Sequence, residues 1–509
     1  MKLAFTTDDS TTIPTDLLVV PVFEELLDGN PDLAALARGL DLAGEQGAPG
    51  FRLRLLEEEQ FKGKKGQQVL LHTHRRLAAG RLLLVGSGPR HDYPETEARH
   101  LGARAVKAGQ GVSARRVTIV LPLRDGAAVE HTSQLLAEGA LLGGYRFDRY
   151  LSEKRPATVE EVNLCGGPGI EPARRPACAA AVQRGERVAT AVARARDLVN
   201  EPAGSLTPSR LAEVAAEVAG QHGLELKVLG ASECAALGMG MFLAVAQGSE
   251  EPPRFIHLAH RPAGDGSPRK KVLLVGKGVT FDSGGLSLKP SASMEDMKTD
   301  MAGAATVICA IGLLAELGCP HEVHALAACT ENMPSGRAYK LGDVLTSMSG
   351  KTVEINNTDA EGRLTLGDAL TYGLREVKPD EAFDFATLTG ACLVALGPHI
   401  AGVMGNDDGL VERWLAAART AGEEMWRLPL AERLKDQLKS DVADLKNTGD
   451  RWGGAITAGL FLKEFVGATP WVHVDLAGPS AADKEFGYVA KGGTGFAVAT
   501  LAEYLAPRR

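Results

Sequence analysis

Two carboxylates and a guanidinium stand at alternate positions of the octapeptide Asn357–Leu364, which reads Asn-Thr-Asp-Ala-Glu-Gly-Arg-Leu. In an extended segment, residues two apart point to the same side. Asp359, Glu361 and Arg363 would then line one wall of a pocket. Neighbouring carboxylates repel each other and raise a pKa unless a cation lies between them. The octapeptide therefore predicts a bound divalent metal ion.

A second segment offers further polar groups. The apolar run Lys271–Val275 is typical of a buried parallel strand, and glycine-rich sequence follows it. Ligands in α/β proteins gather beyond the carboxyl ends of such strands. Lys277 and Asp282 are expected there, with Lys289 and Asp300 further along the chain.

The residue types indicate which chemistry such a site could perform. Oxygen ligands without His or Cys suit Mn, Mg or Zn, and two metals about 3.5–4 Å apart are a known arrangement in hydrolases. A lysine amine can join the ligands only when it is neutral. A nearby divalent charge and partial burial would lower the pKa of Lys277 in that direction. The two segments together predict a two-metal hydrolase.

The same residues carry a resemblance to a known family. The octapeptide and the segment Val275–Gly285 closely resemble two motifs of the leucyl aminopeptidases, also called cytosol aminopeptidases. Similar stretches run from about residue 197 to the C-terminus, and the N-terminal third is less similar. The similar stretches between residue 197 and the C-terminus include Asn200–Pro202, Thr207–Pro208, Glu331–Gly336, Thr387–Ala391 and His473–Gly478.

The resemblance implies a set of metal ligands. Asp282 and Glu361 would bridge two divalent metal ions, with Mn or Zn expected before Mg. Lys277 and Asp300 would complete one metal site, and Asp359 would complete the other. A water molecule bridging the metals would attack the first peptide bond of a peptide substrate, which makes the expected activity that of an exopeptidase.

The resemblance also implies roles for residues beside the metals. Lys289 would polarise the scissile carbonyl, and Arg363 would hold a bicarbonate ion that acts as general base. Arginine cannot accept a proton itself, but its guanidinium can hold a planar anion by paired hydrogen bonds. Met297, Thr387 and Gly390 match positions of the substrate pocket and suggest a preference for apolar N-terminal residues such as Leu.

Each residue taken alone has a structural alternative. Asp282 could cap a turn, Lys277 could form a salt bridge, and Arg363 could pair with a neighbouring acid. His473 and Asp475 alternate with valines on a predicted strand, where packing is the default interpretation. An octapeptide of eight specified residues with correctly placed partners favours the metal site over these alternatives.

Two other classes of function remain open. Some relatives also act as DNA-binding regulatory or architectural proteins, and basic pairs such as Lys64-Lys65 and Arg115-Arg116 permit this. A net charge of −8 offers no broad basic surface, so nucleic acid is possible but not favoured. The third class is a catalytically silent scaffold, against which the complete set of site residues argues.

Composition and family resemblance give expectations for assembly and location. The chain of 509 residues is 44% hydrophobic and 24% charged, which is ordinary for a soluble globular protein. We expect neither a secretory signal nor a membrane span, and seven unpatterned cysteines fit reduced thiols in the cytoplasm. By resemblance, we expect a homohexamer.

An α/β scaffold is needed to position these residues. We predict a smaller N-terminal α/β domain over residues 1–172, a linker helix over 173–200 and a larger catalytic α/β domain over 201–509. In the catalytic domain, strands predicted at 271–276, 322–328, 383–387 and 471–476 would form a central mixed, mostly parallel sheet.

Overall fold

The computed structural model describes residues 1–26, 59–123, 128–154, 156–262 and 269–508. The chain divides into two compact units. The first is Met1–Thr190 with Glu485–Ala490, and the second is Ala191–Lys484 with Lys491–Arg509. The predicted domain limits at 172 and 200 remain predictions.

The first unit is built on a six-stranded sheet in the order β1-β6-β5-β2-β4-β3. All neighbours are parallel except β3 and β4. Its strands are β1 Lys2–Thr6, β2 Thr15–Phe23, β3 Gln68–His72, β4 Ala79–Gly88, β5 Arg116–Val120 and β6 Glu161–Cys165. Its helices are α1 Glu97–Gly111, α2 Val129–Gly143 and the beginning of α3 Arg175–Asn200.

Apolar runs explain the strands of this unit, and glycines explain how closely its helices pack. Strand β2 is buried along almost its whole length, as expected for a central parallel strand. Helices α1 and α2 meet at Gly102 and Gly139, where an added Cβ would lie 2.4 Å from Leu136 O and 1.9 Å from Arg99 O. The predicted small α/β domain is confirmed.

The second unit contains an eight-stranded mixed sheet in the order β15-β14-β17-β13-β9-β10-β8-β7. Its central neighbours β17, β13, β9 and β10 are parallel. The strands are β7 Glu225–Leu229, β8 Arg254–His260, β9 Lys271–Asp282, β10 Glu322–Asn332, β13 Glu381–Ala386, β14 Ala401–Gly405, β15 Met425–Arg427 and β17 Trp471–Asp475. Smaller sheets hold β11 Val344–Thr346, β12 Thr352–Glu354 and β16 Leu445–Lys446, and β18 Ala481–Ala482 with β19 Gly492–Gly493.

The helices of the second unit cover this sheet. After the end of α3 they are α4 Pro208–His222, α5 Ala231–Ala236, α6 Gly240–Ala246, α7 Ser291–Met294, α8 Ala302–Glu316, α9 Gly362–Val377, α10 Gly390–Leu396, α11 Asp408–Ala421, α12 Gly454–Lys463 and α13 Val498–Leu505. Thr207 caps α4 by accepting a hydrogen bond from Arg210 N, as its Thr-Pro sequence predicts. The mixed α/β architecture is confirmed.

One stretch of the described residues, Ser291–Glu316, is long and apolar enough by composition to cross a membrane. It includes α8, and 83% of its apolar window is buried inside the unit. The apolar character of α8 is therefore explained by its place in the core, where Val307, Ile308 and Ile311 are inaccessible or nearly so.

Candidate metal centre

Strand β9 positions the first two site residues. It is longer than the predicted strand at 271–276, because its pairing with β10 continues through Asp282 with an irregularity at Thr330 and Glu331. Lys277 therefore lies inside the strand, and Asp282 is its last residue. The expected position of the site at the carboxyl end of this strand agrees with the structure.

The octapeptide is not an extended segment, and that part of the sequence interpretation is wrong. Asn357–Ala360 forms a turn, Glu361 occupies the N-cap position of α9, and Arg363 is already helical. The helix begins here because Leu364 N and Thr365 N both donate to Glu361 O. Asp359, Glu361 and Arg363 are therefore not brought to one wall of a pocket by the alternating side-chain directions of an extended strand.

Lys277 links strand β9 to two acids from other elements. Its Nζ lies 2.8 Å from Asp300 Oδ1 and 2.8 Å from Glu361 Oε1, and it donates to Thr387 O at 3.1 Å. A Cβ added at Gly362 would lie 2.6 Å from Lys277 Cε. Any larger residue here would push the lysine side chain aside, so glycine lets the first turn of α9 lie this close to it.

Lys289 makes the corresponding link between the two segments. Its Nζ lies 2.9 Å from Asp282 Oδ2 and also contacts Asp359 Oδ1. The other oxygen of Asp282 accepts hydrogen bonds from Gly284 N and Asn332 Nδ2, both at 2.8 Å. Both lysines thus lie among the acids that the sequence grouped with them.

The acids still have unused hydrogen-bonding capacity. Asp300 Oδ2 and Glu361 Oε2 are buried and find no hydrogen-bond partner among the described residues. One oxygen each from Asp282, Asp359 and Glu361 lie within 4.8 Å of one another. Buried polar atoms are normally satisfied, so a cation with hard oxygen ligands fits this set.

The pKa values reflect this crowding of charge. Burial and the nearby Asp282 carboxylate raise the pKa of Glu361 to about 8 despite Lys277, and burial raises the pKa of Asp300 to about 6. Burial alone would lower the pKa of Lys277, but the carboxylates of Asp300 and Glu361 outweigh it and raise that pKa. The same balance raises the pKa of Lys289.

Arg363 is buried beside this cluster and is not one of its ion-pair partners. Its Nη1 donates to Asn447 O at 2.8 Å, and its buried Nε has no hydrogen-bond partner in the part of the chain that the structure describes. Burial lowers the pKa of Arg363 to about 10, against the opposing effect of Glu361 and Asp475. The guanidinium is therefore charged at neutral pH and has a free donor.

The predicted substrate residues lie on segments next to the cluster. Thr387 follows β13, and its hydroxyl donates to Asp300 Oδ1 at 2.7 Å. Met297 begins the short 3-10 helix Met297–Thr299 immediately before Asp300. Gly390 begins α10, and a Cβ there would have no atom within 4 Å in the described chain.

Several residues that contact the site were not predicted to do so. Asn332 donates to both Asp282 and Thr358 O, and Tyr339 donates to Thr358 O at 2.6 Å. Asn447 contacts the octapeptide and Arg363. Asn332 lies in a stretch that resembles the family, which was a usable signal, whereas the sequence around Asn447 offered none.

His473 and Asp475 were interpreted as packing residues, and the structure shows them fully buried in hydrogen-bond networks. Asp475 accepts from Leu388 N at 3.1 Å and from Thr389 Oγ1 at 2.7 Å, which fixes the loop after β13. His473 Nδ1 lies 2.6 Å from Asp384 Oδ1, an interaction that raises the pKa of His473 against the opposing effect of burial.

Comparison with known families covers both units. Residues 193–502 match the sequence model of the cytosol aminopeptidase family, catalytic domain, and residues 19–154 match that of the cytosol aminopeptidase family, N-terminal domain.

Relatives match along the full chain. A probable cytosol aminopeptidase from Cyanothece sp. is 42% identical over 99% of both chains, and one from Alkaliphilus oremlandii is 42% identical over 98% of both. Among solved structures, a mutant of tomato leucine aminopeptidase has a TM-score of 0.88 and 36% identity over 100% of this chain and 97% of its own. The bottromycin maturation enzyme BotP in complex with Mn has a TM-score of 0.82 and 37% identity over 96% and 99%. The chain therefore belongs to the cytosol aminopeptidase family and is an aminopeptidase.

Proposed function

We propose that this aminopeptidase uses two divalent metal ions to hydrolyse the first peptide bond of peptides, with a preference for apolar N-terminal residues such as Leu. The observation that carries the proposal is the cluster of four acids, three of them buried, in which Asp300 Oδ2 and Glu361 Oε2 lack partners among the described residues. Family membership and the Mn complex of the structurally similar BotP support a metal at this site.

The proposed ligands are Lys277 and the four acids that pair with the two lysines: Asp300 and Glu361 with Lys277, and Asp282 and Asp359 with Lys289. Asp282 and Glu361 would bridge the metals, Lys277 and Asp300 would complete one site, and Asp359 the other. The grouping of Asp282, Asp359 and Glu361 oxygens within 4.8 Å supports this assignment. Bound metals of this kind supply Lewis acidity and an activated water.

Lys277 has to lose a proton to become a ligand. The surrounding carboxylates raise its pKa, so it is an ammonium until a divalent charge replaces that field. The same carboxylates would then be committed to the metals, and burial would favour the neutral amine. We therefore expect metal binding to release a proton from this site.

The two remaining cations have roles that follow from their charge. Lys289 keeps its proton at neutral pH because Asp282 and Asp359 raise its pKa, so its ammonium can donate to the carbonyl oxygen that gains negative charge during hydrolysis. Arg363 is also charged at neutral pH. Its free Nε supports the proposal that it holds a bicarbonate ion, which would accept a proton in place of the guanidinium.

The proposed pocket for the N-terminal side chain contains Met297, Thr387 and Gly390. Thr387 joins this pocket to the cluster through its bond to Asp300. Gly390 leaves open space where any other residue would place a side chain. A thioether and open space beside the site fit an unbranched or γ-branched apolar side chain.

The proposed assembly is a homohexamer in the cytoplasm, and Mn or Zn is the proposed metal, with Mg possible. These assignments rest on family membership. Sedimentation velocity at micromolar concentration should show a species of six chains. A stable monomer would contradict the proposed assembly.

The DNA-binding alternative gains no support from the structure. One member of Lys64-Lys65, of Arg115-Arg116 and of a further basic pair, Arg174-Arg175, forms an ion pair with a glutamate: Lys65 with Glu97, Arg115 with Glu160 and Arg174 with Glu130. These pairs reduce the positive charge available to phosphates. We therefore propose catalysis alone.

The test is hydrolysis of leucine-p-nitroanilide by the purified protein with added Mn, with chelator, and beside an N-acetylated control substrate. We expect metal-dependent cleavage of the free-amine substrate only. Alanine- and glutamate-p-nitroanilide test the side-chain preference. Absence of turnover with every metal and substrate, in a folded protein, would overturn the proposed function.

A further inference from the structure

Asn447 occupies a special position relative to the site. It is fully buried and follows β16, which pairs in parallel with β12. Its backbone N–H donates to Glu354 O at 3.0 Å, so the segment around Asn447 runs alongside the segment that leads into the octapeptide. The side chain of Asn447 also bonds to this neighbouring segment.

The Asn447 amide fixes the backbone that enters the octapeptide. Its Oδ1 accepts from Asn356 N at 3.0 Å and Asn357 N at 3.3 Å, and its Nδ2 donates to Asn357 O at 2.6 Å. The last residue that these bonds hold, Asn357, lies two positions before Asp359 in the chain. Asn357 in turn accepts from Asp359 N through its Oδ1 at 2.9 Å. The amide thus controls the starting point of the turn that presents Asp359 and Glu361.

The backbone carbonyl of the same residue contacts the guanidinium of Arg363. Asn447 O accepts from Arg363 Nη1 at 2.8 Å in a buried setting. Hydrogen bonds to a charged group in such a setting are stronger than neutral ones. The side-chain amide, together with the backbone bond to Glu354 O, holds Asn447 in place. It therefore helps to fix where this carbonyl lies and how the guanidinium is oriented.

We propose that Asn447 is a positioning residue that couples the metal-binding turn to Arg363. Its amide sets the turn that carries Asp359 and Glu361, and its carbonyl sets Arg363, so both parts of the site share one support. The inference rests on the proposed function, in which the turn binds metal and Arg363 assists the reaction.

The test compares Asn447→Ala with Asn447→Asp and with a matched control, Asn406→Ala. Asn406 also joins two backbone groups, donating to Thr469 O at 2.9 Å and accepting from Trp471 N at 2.8 Å. Asp at 447 keeps an acceptor for the two N–H groups and loses the donor to Asn357 O. All variants are checked by thermal unfolding.

The first measurement is metal affinity, from titration of the chelator-treated protein with Mn. Loss of a group that orients metal ligands typically costs 10–100-fold in affinity. We expect a loss of about that size for Asn447→Ala, a smaller loss for Asn447→Asp and none for Asn406→Ala. Unchanged affinity in folded Asn447 variants would overturn the proposal. If Asn447→Ala does not fold, the Mn affinity of Asn447→Asp tests the proposal, and unchanged affinity would overturn it.

The second measurement is a double-mutant cycle with Arg363→Ala, read from kcat. If Asn447 acts partly through Arg363, Asn447→Ala should lower kcat by a smaller factor in the Arg363→Ala background than in the natural enzyme. Equal factors in both backgrounds would contradict the coupling. Absence of activity in the natural enzyme would instead refute the proposed function, and the Mn titration would still test the support of the turn.

Discussion

The eight-stranded sheet has one buried glutamate at the amino ends of its central parallel strands and another near their carboxyl ends. These two glutamates have opposite properties. Glu381 begins β13 and is 5% exposed, and Glu361 lies near the other end and is 1% exposed. Glu381 Oε1 pairs with Lys270 at 2.6 Å and Arg413 at 3.0 Å, and its Oε2 accepts from Tyr504 at 2.8 Å. Glu361 has one ion-paired oxygen and one without a partner in the described residues.

The pKa values of the two side chains shift in opposite directions. Burial favours the neutral form of both. At Glu381 the bonds from Lys270 and Tyr504 outweigh burial and lower the pKa, whereas at Glu361 burial and the Asp282 charge raise it to about 8. Burial alone therefore does not identify a binding site. An incomplete set of partners around a buried acid is the more informative observation.

The largest expected effect comes from removing each glutamate. Glu361→Ala should lose bound metal and at least about 1,000-fold in kcat/KM, because the proposed shared metal ligand is gone. The loss of metal is measured as metal content after dialysis, and the loss of kcat/KM is measured with leucine-p-nitroanilide.

Glu381→Ala is the matched control for this substitution. It makes the same change at the opposite end of the sheet and should retain the metal. Full activity of Glu361→Ala, or equal metal loss in both variants, would remove the distinction between the two ends.

Arg363→Ala should have the next largest effect. We expect it to keep its metal and lose about 100-fold in kcat, a typical contribution for assistance in proton transfer. Arg413→Ala, which removes an arginine from the complete cluster around Glu381, should leave kcat unchanged. Metal content and kcat are measured for both. Loss of metal in Arg363→Ala would mean that the guanidinium supports the ligands rather than the reaction.

The pH dependence of stability should distinguish the two ends as well. In the metal-free protein the folded pKa of Glu361 is raised from 4.5 to about 8. The folded state then binds more protons than the unfolded state between these values, so the free energy of unfolding should fall as the pH rises through this range. Glu381, with a lowered pKa, contributes stability that is present above pH 4.5 and is lost as the pH falls.

Urea unfolding at several pH values tests this prediction, with and without Mn. Bound metal should abolish the pH-dependent decrease in the free energy of unfolding that Glu361 causes, because the carboxylate then has a cation. Glu361→Gln should also reduce the slope. A metal-free protein whose stability does not change between pH 5 and about 8 would contradict the raised pKa of Glu361.

The smallest effect is expected for Glu381→Gln. The partners Lys270 and Arg413 are about half exposed, so their interactions with Glu381 are partly screened. We expect a loss of about 1–2 kcal/mol in the free energy of unfolding, with kcat and metal content unchanged. A loss of metal from this variant would show that the two ends are not independent.

Local pattern predicted much of the scaffold. Apolar runs located the central strands of the eight-stranded sheet, although β9 and β10 extend several residues beyond their predicted ends. Strand pairing decided those ends, since β9 continues wherever β10 offers backbone partners. The predicted extended octapeptide is wrong because local alternation of charge does not distinguish a strand from a turn followed by the first turn of a helix.

The sequence by itself determined the types of side chain at the site and the family to which the chain belongs. The family resemblance also groups Lys277 with Asp300 and Glu361, and the tertiary structure shows the direct ion pairs among them. Only the tertiary structure revealed that Asn447 meets Asn357 and Arg363, which are 90 and 84 residues away in the chain. Contacts over such separations depend on how the strands and helices pack, and residue spacing carries no information about that packing. Only the tertiary structure also shows that one carboxylate oxygen of Glu361 lacks a partner among the described residues, whereas both oxygens of Glu381 have partners.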